Sequence, residues 1–182
     1  EIRYHQIQAR LAEYYEMEIS GPPPGRASEA YTNNVIQRQL TEKFNEATQL
    51  DLELKEIYYL QGGEWSLAAA IDLGRVWENF GQVLLNSFIP PFLTESQQEL
   101  YAMRLEDQAF PQREKAANFY AEAINQAFAA NIYNDQTEFA ITRLGELRSD
   151  EYPQLEEVLI DPYEDLLYTT GTELEIPYEE RP

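Results

Sequence analysis

The segment from Glu64 to Phe88, EWSLAAAIDLGRVWENFGQVLLNSF, leaves this chain few folds to choose from. Asp72, Arg75, Asn79, Gln82 and Asn86 recur at steps of three and four, so a helix gathers them into one narrow polar stripe. Trp65, Ala69, Leu73, Val76, Phe80 and Val83 fall on one flank of that stripe. Leu67, Ala70, Ile71, Trp77, Leu84, Leu85 and Phe88 fall on the other. A helix apolar over most of its circumference must be enclosed by neighbours on both flanks. Gly74 and Gly81 share a face, and each costs about 1 kcal/mol of helix propensity relative to alanine. The expected compensation is the close approach of another helix. An all-α fold of antiparallel hairpins stacked around this segment follows.

The rest of the chain divides around it. Residues 1–19 read as a helix with Tyr4, Ile7, Leu11, Tyr14 and Tyr15 on its apolar face. Its abrupt start suggests an element truncated from a longer chain. SGPPPGRAS, residues 20–28, interrupts it, because three prolines cannot continue a helix. A long helix then runs from Ser28 or Asn33 to Leu60. Ser28 is its expected N-cap, and Ile36, Leu40, Phe44, Ala47, Leu54 and Tyr58 form its face. Gln61-Gly62-Gly63 supplies the glycine of a left-handed C-cap, and so short a turn forces the two helices to be antiparallel neighbours. Pro90 and Pro91 stop the central helix. Thr94 with Gln97 forms a capping box for a helix over 95–110. Pro111 is expected to kink or end that helix, and another spans 112–131. Asn134 or Asp135 caps a last helix reaching Arg148. These boundaries predict an N-terminal helix (1–19), a helical repeat domain (28–153) and an extended acidic tail (154–182).

Charge narrows the partners. The chain has 33 acidic and 13 basic residues, a net charge of −20, and 11 of the acidic residues lie in 150–182. Such a chain opposes nucleic acid, which is bound through clustered Lys and Arg, and opposes anionic lipid. It favours a protein or peptide partner that is itself basic. No run of 18 apolar residues is present for direct membrane insertion. With no cysteine, thiolate zinc sites and cysteine nucleophiles are excluded. His5 is the sole histidine, too few for a di-iron carboxylate site. No phosphate-binding glycine loop or EF-hand spacing occurs. No catalytic residue, metal site or cofactor is therefore expected, and carboxylate pairs such as Glu156-Glu157 read as solvated surface.

Two segments repeat. AIDLGRVW (70–77) and ITRLGELR (141–148) both carry Leu-Gly at the same offset, and Ala116-x3-Tyr120-x2-Ala123 gives a second pattern. Together they resemble the tetratricopeptide-repeat family, whose first helix carries Leu-Gly followed by an aromatic and whose second carries alanines around an aromatic. The resemblance implies a short α-solenoid. Residues 81–115 separate the two halves of one repeat, so a proline loop and a helix appear inserted. The stretch from Asn86 through Asn131-Ile132-Tyr133-Asn134 to Arg148 is similar to a bacterial subfamily of cell-envelope and gliding-motility proteins. That similarity implies a periplasmic or envelope location, with the cytoplasm as the alternative.

The family implies a non-catalytic scaffold whose stacked hairpins present a groove to a peptide or partner helix. The polar stripes are the candidate lining: Asp72, Arg75, Asn79 and Gln82 on one helix, with Lys115, Asn118 and Glu122 on another. Replacing Arg75 and Asn79 together by alanine is expected to weaken partner binding without loss of helicity. An alternative reading is a structural subunit of a larger assembly, anchored by tail residues Tyr163, Leu166, Leu167, Tyr168 and Tyr178, since aromatics dominate interfaces. Leu174 and Ile176 belong to the same set.

Overall fold

A computed structural model describes residues 2–22, 28–60 and 63–152. Five helices account for most of them: α1 (Ile2–Tyr15), α2 (Glu29–Tyr59), α3 (Glu64–Leu85), α4 (Glu95–Ala130) and α5 (Asp135–Leu147), with no strand among the described residues. Successive helices are antiparallel neighbours. Contacts such as Tyr4 with Asp72 and Tyr14 with Val76 show α1 running in the same direction as α3. Arg75 over Phe139 and Arg143 with Glu78 show the same for α5. Thus α1, α3 and α5 point one way and α2 and α4 the other.

Helix α3 is the centre of the molecule. It packs against all four other helices, most extensively α4 and α2. Fourteen of its 22 residues are buried, from Ser66 to Leu84. The close approach expected at the glycines is with α4. A methyl group at Gly74 would overlap the Tyr120 ring, and one at Gly81 would lie 3.3 Å from the Ala109 carbonyl oxygen. Tyr120 is itself fully buried, and Ala116, Ala117, Ala123 and Ala127 bring the α4 backbone close along its length. Helix α1 contributes Tyr4, Ile7, Leu11 and Tyr14 to the same core.

Local signals set the helix ends. Asn134 Oδ1 accepts from the Thr137 N–H at 3.0 Å, Gln97 Oε1 accepts from the Thr94 N–H at 2.9 Å, and Ser28 Oγ accepts from the Tyr31 N–H at 3.4 Å. Several boundaries differ from the sequence expectation. Helix α1 ends at Tyr15 rather than at residue 19. Helix α3 stops at Leu85, and Phe88 instead packs its ring over Gly21. Helix α2 ends with Leu60 in the right-handed region, whereas the positive φ belongs to Gly63, +61°, at the entry to α3.

The largest difference is at Pro111. Helices 95–110 and 112–131 are one continuous helix of 36 residues. Proline removes the donor that would bond the carbonyl four residues earlier, that of Asp107. Pro111 lies on the exposed side of α4, so the missing bond falls at the surface, while the buried Leu105, Ala109, Ala116 and Ala117 hold both halves of α4 to the core.

Candidate functional site

The polar stripe of α3 meets α1 and α5 through its first two residues, Asp72 and Arg75. Asp72 is buried; its carboxylate accepts from Tyr4 Oη at 2.6 Å and Gln8 Nε2 at 3.2 Å, and pairs with Arg75 at 3.3 Å. Burial, then the neighbouring Asp72 charge, pushes the Tyr4 phenol well above its ordinary range. The Arg75 guanidinium stacks 4.1 Å from the Phe139 ring centroid. Glu78, which the stripe reading omits, accepts from Tyr120 Oη at 2.7 Å and pairs with Arg143. Asn79 is half-buried, and its Oδ1 has no hydrogen-bond partner. Gln82 is exposed.

The second stripe does not join the first. Lys115 faces α2, where its Nζ lies 3.1 Å from Asp51 and 3.3 Å from the Trp77 ring centroid. Asp51 also accepts from Trp77 Nε1 and from Lys55, each at 2.7 Å. Burial raises the Asp51 carboxyl, but the bonds from Lys55, Trp77 and Lys115 outweigh it and hold the group below the usual range. Burial pulls the Lys115 ammonium down. Glu122 accepts from Tyr58 Oη of α2 at 3.4 Å, whereas Asn118 accepts from Arg148, beyond α5, at 2.8 Å. Of the seven candidate residues, Asp72, Arg75, Lys115, Asn118 and Glu122 thus contact a neighbouring helix or its C-cap, in separate seams, whereas Gln82 is exposed. Tyr163, Leu166, Leu167, Tyr168 and Tyr178 lie outside the described residues.

What the seams leave open is apolar. Helices α2 and α4 both pack on α3 without close backbone contact with one another, and between them lies a groove of about 470 Å³. Leu40, Thr41 and Phe44 form its α2 wall, Phe80 and Leu84 its floor, and Asp107, Gln108, Pro111 and Gln112 its α4 wall. Its sole charged lining residue is acidic. The Asp51–Lys115 bridge across Trp77 ties α2 to α4 a few turns further along. Phe44 packs on Phe80 with the rings tilted by 49° and centroids 5.6 Å apart, yet remains 45% exposed. Pro111 leaves the Asp107 carbonyl on this wall without its intrahelical donor.

The sequence expectation put Leu40 and Phe44 on the packed face of α2. Leu40 is partly buried against the core, Phe44 is largely exposed, and Lys43 and Leu50 are the fully buried residues of that face. Lys43 is fully buried; its Nζ donates to the Tyr14 carbonyl at 2.9 Å and the Met17 carbonyl at 2.6 Å, and sits 4.3 Å from the Tyr14 ring centroid. The signal was available: Ile36, Lys43, Leu50 and Ile57 recur every seven residues, a register that keeps one side of a helix on its neighbour.

Among the described residues no helix is long and apolar enough to cross a membrane. No family model matches the chain, and no match is found among curated proteins or solved structures.

Proposed function

We propose that this chain is a non-catalytic protein-interaction scaffold of tetratricopeptide-like architecture, and that the groove between α2 and α4 receives apolar side chains of a basic peptide segment. The observation that carries the reading is the groove itself: Phe44, Phe80, Leu84 and Pro111 line it with no internal side chain filling it. An open apolar recess with few polar groups is the usual form of a binding site. The alternating direction of the five helices and the seating of Tyr120 on Gly74 support the repeat architecture. The preference for a basic partner rests on the net charge, on Asp107 and on the Asp107 carbonyl. A role within a larger assembly of the bacterial envelope or motility apparatus belongs to the same proposal, and rests on the sequence resemblance alone.

A peptide library displayed on phage and selected against the whole chain tests the site. Selected peptides are expected to carry apolar anchors with flanking Lys or Arg. Their affinity should fall at least about tenfold with Phe44→Asp, a loss near 1.4 kcal/mol, while circular dichroism is unchanged. Binding that is indifferent to Phe44→Asp but lost with Arg75→Ala and Asn79→Ala would move the site to the α1–α3–α5 side.

A further inference from the structure

Beyond its last lining residues the groove gives way to the Asp51–Lys115 bridge. The floor, Leu84 and Phe80, continues along the same face of α3 to Trp77, at steps of four and three. The walls continue to Asp51 on α2, seven residues beyond Phe44, and to Lys115 on α4, three beyond Gln112. Phe44 joins the two stretches, since its ring centroid lies 5.6 Å from that of Phe80 and 6.3 Å from that of Trp77. The Trp77 face is thus the next step of an aromatic floor. What covers it is the Lys115 ammonium, 3.3 Å from the ring centroid.

Lys115 is a loose cover. Its side chain is 36% exposed and turns on a flexible four-carbon stem. Nor does the carboxylate beneath depend on it alone. Among the described residues Asp51 is shared by two lysines, and without Lys115 it keeps Lys55 and Trp77 Nε1, each at 2.7 Å. Burial pulls the Lys115 ammonium down, because the site strips water from a compact, strongly hydrated ion.

We propose that Asp51 and the face of Trp77 form a subsite for one arginine side chain of the bound peptide, and that Lys115 fills it in cis until that arginine displaces it. The subsite rests on the groove being the peptide's seat. Arginine suits the position better than lysine does. Its guanidinium is planar and weakly hydrated, stacks on an aromatic face and forks onto a carboxylate. The exchange returns the strongly hydrated ammonium to water and takes the weakly hydrated guanidinium out of it. Apolar anchors of the same peptide, seated on Phe80 and Leu84, hold the arginine beside Trp77 at high effective concentration. A peptide with anchors alone leaves Lys115 in place, so the displaced lysine makes the groove selective for an arginine next to apolar residues.

Two libraries of short acetylated and amidated peptides test this on the full chain. Both are randomised over Leu, Phe, Ala and Gly around a central position, which is arginine in one and citrulline, its uncharged isostere, in the other. The readout is the ratio of arginine to citrulline library retained on the immobilised chain. Lys115→Met vacates the subsite and should raise that ratio at least about fivefold over wild type. Lys115→Arg keeps the bridge but fills the subsite with the better cation, and should lower the ratio at least about threefold. Arg3→Gln removes the same charge from α1, which does not pack on α4 among the described residues, and should leave the ratio unchanged. Should Lys115→Met unfold by circular dichroism, Lys115→Arg decides alone. An unchanged ratio in the two Lys115 variants, or an equal rise in Arg3→Gln, overturns the subsite, while retention that still falls with Phe44→Asp keeps the groove. Retention of both libraries indifferent to Phe44→Asp removes groove and subsite together.

Discussion

Lys43 shows how much a single buried cation does in this molecule. Its ammonium takes the place of a C-cap for α1, bonding two carbonyls where the helix dipole is negative. Burial pulls its pKa down to about 8. An unfolded lysine keeps its proton until about 10.4. Between these values the unfolded chain binds more protons than the folded one, so this residue makes stability rise with pH there. Urea unfolding of wild type and Lys43→Met at pH 7, 8, 9 and 9.5 measures the effect. At pH 7 the variant should lose about 1–3 kcal/mol, because two buried carbonyls lose their donor, and it should lack the alkaline rise. Identical pH slopes for the two proteins would refute this role. Asp51 is the acidic counterpart. Asp51→Asn leaves Lys55 and Lys115 without their counter-charge, and a loss of about 1–3 kcal/mol at pH 7 is expected. That loss should shrink toward pH 3, since a carboxyl held below its usual range stabilises above the unfolded pKa and ceases to do so as pH falls through the folded one.

At the scale of the elements, the contact between α3 and α4 is the one most sensitive to size. Gly74→Ala gains about 1 kcal/mol of helix propensity but drives a methyl into the Tyr120 ring, which is fully buried and cannot swing clear. Overpacking of that kind costs about 1–3 kcal/mol, so thermal unfolding should show a net loss. Pro111→Ala should act oppositely. Restoring the N–H for the Asp107 carbonyl and removing proline from a helix interior should raise stability, by up to about 3 kcal/mol, while changing one wall of the groove. Much at this scale was legible in the sequence. The enclosure of α3, the glycine contacts and the caps at Ser28, Thr94 and Asn134 all follow from patterns within a few residues. Continuity through Pro111 was not, because it depends on Leu105, Ala109 and Ala116 being held by α3 on both sides of the break. The groove was equally hidden. Leu40 and Phe44 have the composition of a packed face, and only the spacing of α2 and α4 on α3 leaves Phe44 uncovered between them. The candidate polar residues were found as a stripe, but the sequence does not reveal that Asp72 and Lys115 would have partners on α1 and α2.

For the whole molecule, the arrangement amounts to four helices laid against one. Among the described residues eight cations sit in ion pairs, several of them across interhelical seams, such as Arg10 with Glu46 and Glu53 and Arg148 with Glu114. The remaining charge is a large acidic excess, which keeps copies apart and draws basic partners. The functional account, including the groove between α2 and α4, depends on α3 being the fixed spine. Native-state hydrogen exchange, resolved by residue, measures this directly, since amides in the most stable unit open only with global unfolding. The account predicts that the amides of Leu67–Leu84 are the slowest in the chain and exchange at the global unfolding free energy, with α1 and α5 opening earlier. Faster exchange in α3 than in α1 or α5 would contradict it.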